Sequence, residues 1–281
     1  MVLTGDFLQL PNIEGEYCFK SETWKNSNIS IKILHKQMRQ INDITFANIL
    51  NELREGIVKK STYDILKSRL VTNNFIYSDN EIQPTILYSK NINVDIINNK
   101  KLNSLINLGF EHKIYKLKYN NKLAGIKNWL ITNNISDKDL QLSINSQIMI
   151  TDNIDPISGL VNGTRGIVTS LEDDHIKIKL VNGEETIIPY IIRKDDDYEK
   201  NFIQVSYLPI KLAFALTISK SQGLTLDKVQ IDLGPDIFAD SSAYVALSRC
   251  RNLDAITLTD LSIKSLKKVN KEAILFYNNL K

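Results

Sequence analysis

The feature that most limits what this chain can become is the change of character within Leu212–Thr225. An apolar run, Leu212-Ala213-Phe214-Ala215-Leu216, gives way to Thr217, Ser219, Lys220, Ser221, Gln222 and Gly223, with Ile218 the single apolar residue among them. Such a boundary delivers polar groups to a site. Thr217, Ser219, Lys220 and Ser221 supply donors of the kind that grip phosphate oxygens, and Gly223, having no Cβ, lets backbone N–H groups come close. Further along, Tyr244-Val245-Ala246-Leu247-Ser248-Arg249 predicts a helix entered through Asp240 or Ser241, both good N-caps, with Arg249 near its far end. An arginine fixed on a rigid element suits a phosphate that develops charge.

In order and spacing, TISKSQGLT and YVALSR resemble motifs V and VI of the PIF-like and RecD-like branch of superfamily-one DNA helicases. Other stretches follow in the same order. MVLTGDFLQLP, predicted as a strand ending in a proline turn, matches motif III, with Gly5, Asp6, Gln9, Leu10 and Pro11 in the family's places and Asn12 where a second proline is usual. Read alone it is an ordinary strand and turn. Ile29–Leu34 alternates like a strand and leads to Arg39-Gln40, and residues 43–55 predict an amphipathic helix between an Asp43 cap and Gly56. That succession resembles motif IV. Without it Arg39 reads equally well as a solvated or capping arginine. Asn93 and Asn98, on a helix predicted over 91–108, fit asparagine positions at which the family touches nucleic acid, although helix capping explains Asn93 as well.

The resemblance implies roles residue by residue. Gln9 senses the γ-phosphate of ATP from the first-lobe side, and Arg39 and Arg249 approach it from the second. Gln222 and Gly223 line the nucleotide side, while Thr217, Lys220 and Ser221 face the DNA backbone. Ser219 departs from the pattern by standing where the family usually has histidine, which weakens strand grip at that point. The implied activity is ATP-driven 5′-to-3′ translocation on single-stranded DNA and unwinding at single/double-strand junctions, in replication, repair and recombination.

Such motors also need a phosphate-cradling lobe with Gly-x-x-x-x-Gly-Lys-Ser/Thr and an acidic pair for Mg2+. None of the eleven glycines falls in that pattern, and no Asp-Glu dipeptide follows an apolar strand. The expectation is therefore the C-terminal portion of a helicase that does not hydrolyse ATP by itself. ATP and Mg2+ are expected only with a P-loop domain, from the same or another chain. Val2, Leu3 and the turn after them are expected to be poorly packed, exposed or docked on a surrogate surface. The alternative is a nucleic-acid-binding or scaffolding remnant without motor function, which Ser219 and the missing P-loop pattern favour and the two arginines disfavour.

Alternating strands and helices argue an α/β layer. Between Asn153 and Tyr207 the texture turns to short apolar strands broken by Asn162-Gly163, Asn182-Gly183 and an acidic 195–197 loop, the mark of a small all-β module. By resemblance the fold is a RecA-like, P-loop-type second domain with a parallel sheet, carrying an inserted Src-homology-type barrel. Residues 1–25 then close a first RecA-like domain, 26–152 and 208–281 form the second, and 153–207 form the barrel. Single strands are predicted over 111–119 and 140–150, an insertion over 120–139, and a closing helix over 262–277.

Composition narrows the rest. Thirty-five basic against thirty-two acidic side chains leave +3, so a nucleic acid would be held by a local groove and not by bulk charge. Cys18 and Cys250 read as reduced thiols. His35, His112 and His175 have no zinc spacing. No apolar run approaches the ~20 residues that span a bilayer, and the N-terminus is not a signal peptide, so a soluble intracellular protein is expected.

Overall fold

The computed structural model describes all residues except 1, 13–14, 35–36, 72–81, 120–125, 134, 196–202 and 281, with the backbone alone at 195. His35, Asp196, Asp197 and the start of the expected 120–139 insertion lie outside the described residues. The chain divides into two compact units, one of Met1–Phe75, Pro84–Val94 and Ala215–Lys281, the other of Ile76–Gln83 and Asp95–Phe214.

The first unit is α/β. Four strands, all parallel, run in the order Ala215–Thr217, Thr85–Tyr88, Val229–Leu233, Ile256–Leu261. Arg69 and Val71 extend the outer edge, bonding Leu258 at 2.9 Å on both its backbone groups. The helix Ile44–Arg54 buries Phe46, Ile49, Leu50 and Leu53. That spacing of three, one and three residues keeps them on one face. Each such side chain removed from water is worth about 1.5–3 kcal/mol. The face packs on the helix Ser242–Leu247, whose Ala243, Val245, Ala246 and Leu247 are buried. Asp43 caps the longer helix by accepting the Phe46 N–H at 2.9 Å.

Several expected elements differ. Residues 2–11 are irregular, as are 29–34 among their described positions. Alternation there finds no partner strand to complete the ladder, and Ile29, Ile31 and Leu34 stay exposed. Val2 and Leu3 are exposed as well, at 88% and 62%. The closing helix is two, Ile263–Leu266 and Lys271–Asn278, because Asn270 starts the second by accepting the N–H groups of Glu272 and Ala273. Ser241 occupies the N-cap of Ser242–Leu247 at φ 61° but makes no side-chain cap bond.

Among the described residues the second unit holds three antiparallel sheets. Five strands run in the order Ile210–Leu212, Gln147–Ile150, Arg165–Leu171, His175–Leu180, Glu185–Pro189. Lys118–Tyr119, Ile203–Tyr207 and Ile191–Asp195 form a second sheet, and His112–Tyr115 pairs with Leu140–Ser143. The module therefore reaches beyond 153–207, because Gln147–Ile150 and Ile210–Leu212 complete its largest sheet. One core gathers Tyr115, Leu142, Ile148, Val168, Ile176 and Ile188. A second sets Leu130 of the helix Ile126–Thr132 against Ile203, Val205 and Tyr207.

The strands expected over 111–119 and 140–150 are each two. In the second case a turn with Asn145 at φ 67° intervenes. Asp195 ends a strand instead of opening a loop. Asn182-Gly183 does make a hairpin, with Gly183 N–H on Leu180 O at 3.0 Å, Leu180 N–H on Glu184 O at 2.8 Å, and Gly183 at φ +89°. Only Gly183 has positive φ, so this is a turn closed by a left-handed glycine and not the two-residue mirror-image form.

Gly166 marks a close contact between strands. A Cβ there would lie 3.0 Å from both the Lys179 carbonyl oxygen and Ile178 Cδ1, and the backbone oxygen cannot turn aside. Gly166→Ala is expected to destabilise this unit by about 1–3 kcal/mol. Urea unfolding should show a lower midpoint at unchanged slope, and an unmoved midpoint would contradict the packing.

Candidate functional site

The polar turn begins where the edge strand Ala215–Thr217 ends. All three of its residues are buried, and Ile218 N–H continues the ladder to Tyr88 O at 2.9 Å. The Thr217 hydroxyl, 3% exposed, accepts the Lys220 N–H at 3.2 Å and meets the Ser219 hydroxyl at 3.1 Å. These bonds shape the single helical turn Ser219–Ser221. Ser219 and Lys220 project outward, and Lys220 has no ion pair among the described residues. Ser221 is buried and donates its hydroxyl to Ile218 O at 2.7 Å. Thr217 and Ser221 were expected to face DNA. Their hydroxyls instead build the turn, leaving Ser219 and Lys220 as its exposed polar face. Gln222 and Gly223 follow, exposed, with Gly223 at φ +85°.

Arg249 lies just beyond the helix Ser242–Leu247, next to the C-cap Ser248. It is 2% exposed, among the largest fully enclosed side chains. Its guanidinium donates from Nε to Val245 O (2.7 Å), from Nη1 to Ser221 O (3.3 Å) and Leu224 O (3.4 Å), and from Nη2 to Ser248 Oγ (2.7 Å). Its own carbonyl accepts from Leu226 N–H at 3.0 Å. Arg39, half-buried, donates from Nη1 to Ser248 O (2.8 Å) and from Nε to Thr225 Oγ1 (3.1 Å). Among the described residues neither arginine has a carboxylate partner. Burial, and then the neighbouring Arg39 charge, hold the Arg249 pKa down at about 10. Burial lowers that of Arg39, with Arg251 adding to the effect. Two cations held close without an acid have the charge and the donors that would suit an anion.

Gln9 joins from the other end of the chain. Its N–H closes a turn on Asp6 O (3.2 Å), and its side-chain oxygen accepts from Gln222 Nε2 at 3.1 Å. Gln9, Gln222, Arg39 and Arg249 thus belong to one hydrogen-bonded cluster threaded through residues 221–226 and 248–250. Asn93 does not. It lies inside the first turn of the helix Asn91–Asn107, so it is not the cap either.

Two participants stand in stretches the sequence singled out but were given no role by it. Gln40, 5% exposed, donates to Cys250 O at 2.6 Å and holds the backbone beside Arg249. Tyr244 feels Asp6, Arg54, Arg249 and Arg39 at once, with burial the main cause of its raised pKa. Among the described residues no group of three His, Cys, Asp or Glu side chains could hold a metal, and no helix is long and apolar enough to cross a membrane. Both cysteines are free.

Residues 126–171 match the family model described as DNA helicase Pif1, 2B domain, and residues 196–276 match one described as Helicase. The chain is 30% identical to ATP-dependent DNA helicase PIF1 of Xenopus laevis over 289 residues, covering 100% of this chain and 44% of that relative. It thus spans less than half the length of that protein. The crystal structure of Pif1 helicase from Candida albicans superposes with a TM-score of 0.79 at 27% identity, over 99% of this chain and 68% of that one. Pif1 helicase from Bacteroides in complex with ADP-AlF3 and ssDNA gives 0.70 at 27%, over 98% and 65%. With a parallel α/β sheet, the motif order and matches along its whole length all in agreement, the chain is similar to the Pif1 DNA helicases and aligns with the C-terminal part of those relatives.

Proposed function

We propose that this chain is the C-terminal portion of an ATP-dependent 5′-to-3′ DNA helicase. Arg39 and Arg249 stabilise charge on the γ-phosphate, Gln9 and Gln222 border the nucleotide, and Ser219 and Lys220 meet the DNA backbone. The carrying observation is the arginine pair, one member enclosed and neither matched by a carboxylate among the described residues. Such a pair is costly to a fold unless an anion answers it. The Bacteroides relative, bound to ADP-AlF3 and single-stranded DNA, supports both ligands.

In this reading the first unit is the second RecA-like domain, with residues 1–25 belonging to the preceding one, and the antiparallel unit carries the inserted barrel. The phosphate cradle and the acidic pair for Mg2+ come from a P-loop domain in the same or another chain. The residues here fit a phosphate and not a metal, so Mg2+ is held by that other domain. What this chain supplies is orientation and charge. Arg249 is fixed by three carbonyls and a hydroxyl, so little reorganisation is needed when negative charge grows in front of it. Arg39, tied to the same backbone, adds a second donor set.

With the P-loop domain supplied, Arg249→Ala is expected to lower ATP turnover about 10³-fold or more, roughly 4 kcal/mol of barrier. An intact rate would sink the role. Lys220→Ala should weaken binding of a short single-stranded oligonucleotide of any sequence and reduce the slope of log K against log salt by about 0.7. Equal binding by both proteins would remove Lys220 from the DNA face.

A further inference from the structure

The turn that carries Gln9 belongs to no strand, yet it is fixed. Asp6 Oδ1 accepts from Leu8 N–H at 3.1 Å and from Arg54 Nη2 at 2.9 Å, and Tyr277 OH lies 3.4 Å from it. The same Tyr277 oxygen accepts the Phe7 N–H at 3.2 Å. A phenol can do both, donating its proton to the carboxylate while its lone pair receives the amide. The Arg54 guanidinium lies 5.3 Å from the Tyr277 ring centroid and so closes the triangle. Around it, the Phe7 ring meets Tyr17, Phe19, Trp24 and Phe276 edge-on at 5.0–5.9 Å. Leu8, the next residue, is 3% exposed.

We propose that Tyr277, with Asp6 and Arg54, is a positioning site for Gln9. The C-terminal helix Lys271–Asn278 and the end of Ile44–Arg54 clamp residues 6–8, and the clamp presents Gln9 to Gln222. None of the three touches the proposed anion site, so they act through the turn. The aromatic cluster alone would hold the segment by non-directional burial and leave the turn free to rotate. The two bonds of the Tyr277 hydroxyl set its direction. That Gln9 matters to turnover rests on the function proposed above; that the clamp fixes Gln9 does not.

Tyr277→Phe separates the two, because it keeps the ring in its cluster and removes only the hydroxyl. In the 281-residue chain, amide hydrogen exchange at Leu8 and Gln9 is expected to speed up about tenfold, the loss of a bond or two, while exchange within Ile44–Arg54 is unchanged. Unchanged exchange at Gln9 would overturn the clamp. Asp6→Asn is the second variant. Its amide oxygen still accepts from Leu8 but no longer pairs as an ion with Arg54, so a smaller increase is expected, and none would again count against it. With the P-loop domain supplied, Tyr277→Phe should lower kcat about tenfold at unchanged KM and do nothing further in a Gln9→Ala background. A full additional loss in that background would show that Tyr277 does not act through Gln9. A joined wild-type protein without ATP turnover would instead sink the helicase reading and leave the exchange result to judge the clamp.

Discussion

Everything in the first unit turns on holding one guanidinium without a counter-charge. Arg249 is enclosed, and its four hydrogen bonds run to the carbonyls of Val245, Ser221 and Leu224 and to the Ser248 hydroxyl. Dipoles offset part of the desolvation of a buried cation, but not all of it, and the Arg249 pKa stays depressed. A carboxylate would have served stability better, and under the proposed role it would have filled the place of a phosphate. By using neutral acceptors the fold keeps the cation aimed and its electrostatic demand unmet.

The constraint spreads outward through backbone. Ser221 and Leu224 offer their carbonyls to Arg249 only because the Thr217 and Ser221 hydroxyls curl the chain after its edge strand. Ser248 and Cys250 are held in turn by Arg39 and Gln40, whose place is set by the helix that begins at Asp43. Asp43 contributes a second carboxylate oxygen, which accepts the Leu253 N–H at 3.0 Å and ties down the far side of the same loop. The arginine pair is therefore a property of two loops braced by one helix, and the parallel sheet supplies the fixed ends from which both loops start.

Local chemistry made much of this legible. Asp43 as a cap, the apolar spacing of Phe46 to Leu53, the glycine turn at Asn182-Gly183 and the strand-to-turn change at Thr217 each depend on neighbours in sequence. Arg39 and Arg249 could be named because their motifs came in order. What stayed hidden needs partners far along the chain: Gln40 bonding a carbonyl 210 positions away, or Tyr277 bonding an amide 270 away. The misread strands fail for the related reason that alternation specifies a face but not an edge to pair with. Residues 29–34 alternate and found none. The module borders were misplaced because Gln147–Ile150 and Ile210–Leu212 are apolar enough for either layer, and only their pairing assigns them.

The turn Ser219–Ser221 explains how one short segment can serve two ligands under the proposed roles. Its residues point in opposite directions. Lys220 stands in solvent on one side, and the next residue turns inward, its carbonyl on Arg249 and its hydroxyl on Ile218. The Lys220 amide is itself bonded to Thr217 at the end of the sheet. Lys220, tied to the end of the sheet, is thus one peptide away from a carbonyl that orients Arg249, so under the proposed roles a load on its side chain would reach that carbonyl directly. Coupling of this kind needs no long pathway, because the outward cation and the inward acceptor are consecutive residues of a turn too short and too bonded to deform independently.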